Sequence, residues 1–171
     1  MADTLLEELK SRAEITEVVL RYVRGCDRLD EEMLRSCFHP GARHKHGSFE
    51  GLSADFCTHA MRICREVVAT HHQLGPVSIE LSGDVAFTET YFVSHHRFGE
   101  VPPPGGQPHE DRMAAGRYVD RFERRDGVWK IAERTGLMEF VRYDPPADRG
   151  FWDGPPEQRG RRDRSDPVYA R

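Results

Sequence analysis

The feature that most constrains this chain is a helical pattern of apolar residues near its N-terminus. In residues 15–27 the apolar side chains recur at three- and four-residue spacing, and they are Ile15, Val18, Val19, Tyr22, Val23 and Cys26. This period predicts an amphipathic helix with its apolar face turned to the core. Asp27 continues the same face, four residues after Val23. Because an unpaired carboxylate is costly to bury, we expect Asp27 to meet a hydrogen-bond donor, to hold a proton or to reach a wet cavity.

Asp27 also has a simpler interpretation, as a polar residue at the end of a helix. Asp27 and Asp30 precede Glu31 and Glu32, so both aspartates are positioned to cap the first turn of a second helix. The helical pattern alone favours this capping role. Only the residues that meet Asp27 in the fold can decide between the two interpretations.

Length and charge exclude several classes of protein. The 171 residues suffice for one domain with a sizeable core, and a net charge of −4 gives no electrostatic argument for binding nucleic acid. The N-terminal residues MADTLLEELKSRAEI contain acids where a signal peptide has a basic segment and an apolar core, and no apolar run is long enough to span a bilayer. We therefore expect a cytoplasmic protein without membrane association. The four cysteines show no CxxC spacing and are expected to be buried thiols.

Beyond the first helix, the pattern changes near Thr70 from a helical period to a period of two. Asp30 and Ser53 are predicted to cap two further helices, and two triplets, Ser82-Gly83-Asp84 and Arg125-Asp126-Gly127, are hairpin turn signals. The predicted helices cover residues 31–38 and 52–68, and the predicted strands cover residues 42–49, 70–81, 85–98, 115–124 and 128–141. Helices followed by antiparallel strands indicate an α+β fold with the helices packed on one side of a curved sheet.

Three histidine pairs are candidates for the chemistry of the site, and they are His71-His72, His95-His96 and His44-x-His46. Neighbouring residues of a strand point to opposite faces, so at most one member of each adjacent pair can enter a shared interior. A hairpin brings the His72 and His95 ends of its two strands to the same side of the sheet. Asp27 would then complete a carboxylate–imidazole pair in which the histidine moves a proton. Taken singly, each histidine is more readily explained by a structural or surface role.

A metal site is a further interpretation of these histidines. None of them has a carboxylate or a cysteine at recognised ligand spacing, so we predict no metal. The chain also lacks a glycine-rich phosphate loop of the GxGxxG or GxxxxGKS/T type, and no cofactor is predicted.

Four segments of the chain, in their order and spacing, resemble a known family. They read RAEITEVVLRYVRGCDRLD, HPGARHKHGSFEG, THHQLGPVSIELSGDVAFTETYF and YVDRFERRDGVWKIAER. Over residues 12–140 this order resembles the SnoaL-like branch of the nuclear transport factor two-like superfamily, and its pattern is most similar to scytalone dehydratase. The resemblance implies a cone, in which a strongly curved, mainly antiparallel sheet wraps around three N-terminal helices and encloses one deep, mostly apolar pocket.

The resemblance also implies catalytic residues. The dehydratases of the family use an aspartate at the end of the first helix and a histidine at the start of a strand, and these positions correspond to Asp27 and His72. A related dehydrochlorinase branch uses the same pair to remove a proton from a substrate carbon. A second pocket histidine of scytalone dehydratase corresponds to His95. The predicted catalytic residues are therefore Asp27, His72 and His95.

The chain departs from scytalone dehydratase at four positions around the expected pocket. His46 and Cys26 stand where that enzyme has two tyrosines that polarise water, Gly116 replaces a serine, and Tyr118 replaces an asparagine. The proton-transfer pair is retained while the substrate-polarising set is not. This difference argues against identifying the chain as scytalone dehydratase itself.

Arg134 matches an arginine that is frequent in this branch, and two roles are open for it. It either reaches the pocket as a contact for an anion or leaving group, or it forms an ion pair with Glu133 or Asp120. Together with Arg134, the predicted substrate contacts are Tyr22, Cys26, His46, Phe56, Tyr91 and Tyr118.

The resulting hypothesis is a small, cofactor-free lyase of the dehydratase type, or an isomerase. It would act on an apolar cyclic, aromatic, polyketide or steroid-like substrate, with His72 as general base or acid and Asp27 fixing its tautomer. The alternative is a non-catalytic subunit, such as the small subunit of a ring-hydroxylating dioxygenase, or a bare binding cup.

Residues 143–171 differ in composition from residues 1–142, which are predicted to form the SnoaL-like domain. They carry five prolines and six arginines without a helical or strand period, so they are predicted to form an extended arm that does not fold alone. Phe151 and Trp152 are bulky aromatic residues that we expect to be buried over the pocket or on a neighbouring subunit. A homo-oligomer, either a dimer or a trimer, is expected.

Overall fold

Three α-helices and six β-strands make up most of the part of the chain that the structure describes. This computed structural model describes residues 2–102, 105–147 and 155–170. The helices are α1 (Ala2–Asp27), α2 (Glu31–Ser36) and α3 (Ser53–Glu66). The strands are β1 (Phe38–His46), β2 (Phe49–Leu52), β3 (Val67–Ser82), β4 (Val85–Phe98), β5 (Asp111–Arg125) and β6 (Val128–Asp144). None of the described helices combines the length and the apolar character needed to cross a membrane.

The six strands form one mixed sheet in the order β2-β1-β6-β5-β4-β3. Strand β1 runs parallel to β6, and every other neighbouring pair is antiparallel. Register shifts interrupt the β3–β4 and β5–β6 pairs, and bulges of this kind bend and twist the strands. The sheet is not closed, because β2 and β3 are its two edges. The predicted α+β class, with a mainly antiparallel sheet and three helices, is confirmed.

Several element bounds differ from those predicted. Asp30 does cap α2, because its Oδ1 accepts a 3.0 Å hydrogen bond from the backbone N–H of Met33. Strand β1 begins at Phe38, which was expected to end the second helix. Ser53 does not cap α3, since Leu52 holds the cap position without a side-chain hydrogen bond and Ser53 is buried in the first turn. Strand β2 runs directly into α3, which leaves no loop residue free to serve as a polar cap.

Strand β4 divides its side chains between two faces and so decides which residues can reach the interior. The buried residues are Ala86, Thr88, Thr90, Phe92, Ser94, His96 and Phe98. The exposed residues of the opposite face include Phe87, Tyr91, Val93 and His95. This alternation is the predicted period of two. The buried face packs in one core with α1 and α3, and that core contains both Phe92 and the predicted apolar residues of α1.

The C-terminal segment, residues 155–170, lies against the end of α1. An ion pair joins Arg28 to Asp166 at 3.6 Å, and a second joins Arg164 to Asp30 at 3.2 Å. These contacts place the segment next to the helix end that carries Asp27.

Arg162 extends this contact to the sheet, because its guanidinium donates a hydrogen bond to the carbonyl oxygen of Val67 at the start of β3. The two aromatic residues that the sequence predicts to be buried, Phe151 and Trp152, lie outside the described residues. Their docking stays a prediction.

Candidate active site

Asp27 and His72 are in direct contact at the point where α1 ends beside β3. The Oδ1 atom of Asp27 lies 2.7 Å from Nδ1 of His72, and the backbone N–H of His72 donates to Oδ2 at 3.0 Å. Thr70 adds a third hydrogen bond, from its hydroxyl to Oδ1 at 3.2 Å. Both carboxylate oxygens of Asp27 therefore accept hydrogen bonds, and the predicted approach of Asp27 to His72 is present.

The electrostatics of Asp27 keep it ionised. Burial favours its neutral form, but the hydrogen bonds from His72 and Thr70 outweigh burial, and the pKa of Asp27 is lowered. A carboxylate can only accept hydrogen bonds, so Nδ1 of His72 carries the proton that faces it. In the neutral imidazole, Nε2 then carries no proton.

A cavity of about 580 Å³ opens beside His72. This volume lies within the range of small-molecule sites, about 300–1,000 Å³. Helices α1 and α3 form one side of the cavity, and the inner face of the sheet forms the other. The predicted substrate contacts that line it are Tyr22, Cys26, His46, Phe56 and Tyr118.

Two predicted site residues, His95 and Tyr91, lie on the outer face of the sheet, away from the cavity. His95 and Tyr91 belong to the exposed face of β4, where Tyr91 is 59% exposed and His95 Nε2 lies 3.7 Å from the carboxylate of Asp111. The register of the hairpin explains both errors, because it points His96 inward and His95 outward. The histidine that joins His72 in the cavity is thus His96, and the two rings lie 5.3 Å apart in an edge-to-face arrangement.

Arg134 lies beneath the cavity in a buried ion pair, which is the second of its two predicted roles. Its Nε and Nη2 donate to the Asp120 carboxylate at 2.7 Å and 2.6 Å, and both side chains are fully buried. Its guanidinium carbon lies 4.0 Å from the ring centre of Tyr22 and 4.3 Å from that of Tyr118. Although burial opposes its charge, Asp120 raises the pKa of Arg134. Arg134 therefore supports the floor formed by the two tyrosines and is not a wall residue of the cavity.

Two buried histidines and one half-buried histidine on this face of the sheet are uncharged at neutral pH. Burial, followed by the repulsion of Arg134, lowers the pKa of His44 to about 2 and that of His46 to about 4. Burial is the main cause that lowers the pKa of His96 to about 3. The Nδ1 atoms of all three have no hydrogen-bond partner among the described residues. His46 and His96 line the cavity, so each offers it a neutral hydrogen-bonding group and no positive charge.

Cys26 brings a thiol to the cavity wall beside Asp27. A hydrogen bond with Cys64, together with burial, raises the pKa of Cys26 well above its ordinary value, so this side chain stays a protonated thiol. Cys64 also lines the cavity. In the part of the chain that the structure describes, no group of three or more histidine, cysteine, aspartate or glutamate side chains is arranged to hold a metal ion.

A comparison with models of known protein families identifies the family of this chain. The model of the SnoaL-like domain matches residues 7–135. The chain belongs to the SnoaL-like family. Among curated protein sequences, none matches the chain.

Solved structures share this SnoaL-like, nuclear transport factor two-like fold. A hexachlorocyclohexane dehydrochlorinase, LinA type 2, is 23% identical with a TM-score of 0.72, and the match covers 88% of this chain and 97% of that one. A putative scytalone dehydratase from Novosphingobium aromaticivorans is 22% identical with a TM-score of 0.68, covering 88% and 99%. A putative aromatic ring hydroxylase from the same organism is 16% identical with a TM-score of 0.68, covering 80% and 94%. At these identities the likeness establishes the fold.

The SnoaL-like sheet of this chain has no room for a side chain at Gly116, one of the four departures from scytalone dehydratase. A β-carbon at Gly116 would lie 2.0 Å from the carbonyl oxygen of Leu137 and 3.1 Å from the ring of Phe92. The close approach of β5 and β6 at a register shift causes this crowding. Gly116 is therefore required by the packing of the sheet itself.

The Gly116→Ser variant is expected to lower the free energy of unfolding by about 1–3 kcal/mol, because the backbone must move to admit the new side chain. Urea denaturation followed by circular dichroism measures this change. Gly75→Ser in β3 is the matched control, since a β-carbon there makes only an ordinary contact at 3.5 Å with Tyr91. Equal stability of the two variants would show that the space at Gly116 is not limiting.

Arg112 and His96 are among the cavity residues that were not predicted as contacts. Arg112 lines the cavity from β5, but the strand was predicted to begin at Ala115, so Arg112 was not assigned to any element. His96 shares the period-two face of Phe92, and this signal was sufficient to place it inside. The correspondence with scytalone dehydratase pointed one residue earlier, at His95.

Proposed function

We propose that this protein is a small, cofactor-free lyase or isomerase in which His72 and Asp27 transfer a proton on an apolar, ring-containing substrate. The observation that carries this proposal is the 2.7 Å contact between Nδ1 of His72 and Oδ1 of Asp27 at the wall of a cavity that admits a small molecule. An ion pair in the core of a fold has no need of a cavity, whereas a general base must have one.

The chemistry follows from the two nitrogens of His72. Asp27 holds the proton on Nδ1, so Nε2 can accept a proton from a substrate carbon. The imidazolium that forms is stabilised by the carboxylate 2.7 Å away. In an elimination, that carbon then forms a double bond to its neighbour as a leaving group departs; in an isomerisation, the proton returns at another carbon.

The walls of the cavity support an apolar ring as the substrate class. Phe56 and Phe92 contribute flat apolar surfaces, while Tyr118 and His46 contribute neutral polar groups that can contact a substrate oxygen. An uncharged set of this kind orients a cyclic, aromatic, polyketide or steroid-like molecule without solvating it. Exclusion of water in turn strengthens the electrostatic action of Asp27 on His72.

The names of the solved structures with this fold support the lyase class, since one is called a dehydrochlorinase and another a putative scytalone dehydratase. The second candidate is a non-catalytic binding cup or a subunit of a ring hydroxylase. It is favoured by the name of one neighbour, a putative aromatic ring hydroxylase. Only the lyase or isomerase would convert a substrate to a product, so turnover distinguishes it from the binding cup or subunit.

The proposal extends to the assembly and location of the protein. The outer face of the sheet exposes Phe87, Tyr91 and Val93 of β4 and Phe140 of β6. Exposed apolar side chains on one face favour contact with a second copy, so a homo-oligomer of two or three chains is part of the proposal. The protein is proposed to act in the cytoplasm, without nucleic acid or membrane as a partner.

A panel of hydroxylated and halogenated ring compounds tests the proposal before the natural substrate is identified. Incubation in deuterated water, followed by NMR and mass spectrometry, detects exchange of a carbon-bound proton and loss of a leaving group. We expect activity on a subset of the panel and its loss in His72→Ala. The His71→Ala variant is the matched control, because His71 is the exposed neighbour on the same strand. Binding without turnover would favour the binding cup.

A further inference from the structure

Arg112 brings a positive charge into the cavity that no described side chain neutralises. It lies in β5 on the inner face of the sheet and lines the cavity, where it is half-buried. Its positive charge contributes to lowering the pKa of both His46 and His96, which places it in the same polar corner.

The carboxylates nearest to Arg112 in the chain and in the cavity wall already have partners. Asp111, its neighbour, accepts two hydrogen bonds from Arg97 at 2.7 Å and 2.6 Å. Glu66, at the cavity wall, pairs with Arg62 at 2.9 Å. Among the described residues, no ion pair or hydrogen bond involves the Arg112 side chain, although every other arginine of β5 has a carboxylate partner.

His96 supplies a second group that is ready for a ligand at the same place. It pairs directly with Arg112 across the β4–β5 ladder. His96 is 8% exposed, and its Nδ1 has no hydrogen-bond partner among the described residues. An unpartnered guanidinium and a buried unpartnered imidazole on neighbouring strands form a site for an anionic group.

We infer that Arg112, with His96 beside it, binds a carboxylate group of the substrate, so that the substrate is a ring carboxylic acid. The charge balance favours a carboxylate over a phosphate. Arg112 offers one positive charge, and the neutral imidazoles of His46 and His96 add none, so a single negative charge is matched and a second would stay uncompensated in a low-dielectric site. The planar guanidinium also matches a carboxylate in a two-point contact.

The position of this site relative to His72 restricts the substrate further. Arg112 and His96 are directly paired on antiparallel strands, and the β-carbons of such a pair lie about 4.5–5.5 Å apart. The ring of His96 lies 5.3 Å from that of His72. A carboxylate held at Arg112 and Nε2 of His72 therefore face the same small cavity. We expect the carbon that loses a proton to lie in the same small ring system as the carboxylate.

Binding of paired probes tests this inference directly. The probes are 1-naphthoate and salicylate, each compared with its primary amide, which has the same shape and no charge. Isothermal titration calorimetry on the full chain should show that each acid binds about 10- to 100-fold more tightly than its amide, the range expected for a charge-assisted hydrogen bond. The preference should weaken as salt is added.

Variants of two arginines on the same strand separate the site from general charge effects. Arg112→Gln should remove the preference for the acid while leaving amide binding unchanged, and Arg112→Lys should retain part of it. Arg117→Gln is the matched control, because Arg117 lies in β5 on the outer face and is held by Glu89 and Glu139. Equal affinity for acids and amides, or the same loss in Arg117→Gln as in Arg112→Gln, would overturn the inference.

The inference rests on the proposed function only for the reaction that follows binding, and one further variant keeps the two apart. His72→Ala should bind the acids as the wild type does but catalyse no proton exchange. If the acids bind at Arg112 and the wild type turns nothing over, the carboxylate site stands and the lyase does not. If exchange depends on His72 while acids and amides bind alike, the lyase stands and the carboxylate site does not.

Discussion

The Asp27→Asn variant is expected to keep its fold and to lose about 10²- to 10⁴-fold in kcat/KM, the range of general acid–base catalysis. The asparagine side chain has nearly the same shape as the aspartate, and its amide oxygen can still accept the backbone hydrogen bond from His72. What it lacks is the negative charge that stabilises the imidazolium. Kinetics on any substrate found in the panel, with circular dichroism as a check of the fold, measure this effect.

The loss has a second cause in the tautomer of His72. If the amide N–H₂ of asparagine faces Nδ1 at the 2.7 Å contact, it donates where the carboxylate accepted. The imidazole then carries its proton on Nε2, which is the nitrogen needed as the base. Wrong protonation and a missing charge act together, so the effect on rate is expected to exceed the effect on binding.

Two further variants separate the pair from its surroundings. His72→Ala should cost at least as much as Asp27→Asn, and the double variant little more than either alone, because the two groups act as a unit. Thr70→Val removes only the 3.2 Å hydrogen bond to Oδ1 and should cause a much smaller loss. Turnover that survives in Asp27→Asn would leave this aspartate with a structural role only, as the hydrogen-bond acceptor that joins the end of α1 to β3.

The central pair of the site could be predicted because its two members follow from short-range patterns. The apolar stripe of α1 carries Asp27 to the interior, and the start of the period-two region marks the strand of His72. Their contact joins residues far apart in the chain, and no local pattern specifies it. The resemblance to the SnoaL-like family supplied that link.

The errors arise where the side-chain alternation of a strand must be known to one residue. His95 was assigned by correspondence with a distant enzyme, and a shift of one position moves a side chain to the other face of the sheet. The alternation of β4 itself groups His96 with Phe92, so the physical pattern was the better guide. Tyr91 lies on the same face of β4 as His95, so the wrong choice of face misplaced both residues.

Other features depend on pairing between distant strands. The sequence left two roles for Arg134, a pocket contact or an ion pair. The pairing of β5 with β6 decides between them, because its register sets Asp120 directly opposite Arg134. The parallel contact of β1 with β6 likewise has no local signal. Arg112 is a cavity residue because β5 begins at Asp111, four residues earlier than predicted.

The buried histidines make the fold sensitive to acid, and the free energy of unfolding is expected to fall by about 2 kcal/mol per histidine between pH 7 and pH 5. His44, His46 and His96 have pKa values of about 2, 4 and 3 in the folded protein, lowered chiefly by burial. In the unfolded chain a histidine titrates near about 6.5. Below that pH the unfolded state binds protons that the folded state does not, so the stability present above it is lost as the pH falls.

The combined effect of three such groups is comparable with the total stability of a domain, about 5–15 kcal/mol. Urea denaturation at pH 7, 6 and 5 measures it through the shift of the midpoint. Within this window the native aspartates and glutamates whose pKa is lowered, Asp27 among them, remain ionised. The change in the free energy of unfolding with pH therefore measures mainly the contribution of the histidines.

A substitution at His44 identifies the source of the slope. His44 is 1% exposed, and its ring is stacked on Phe56 with 3.5 Å between ring centres. In His44→Leu the dependence on pH should decrease by about one third, since one of three depressed groups is gone. His71→Leu, which changes an exposed histidine of β3, should leave the slope as it is in the wild type. A wild-type stability that stays constant from pH 7 to pH 5 would mean that these imidazoles take up protons inside the fold. His46 and His96, which line the cavity near Arg112, would then carry positive charge.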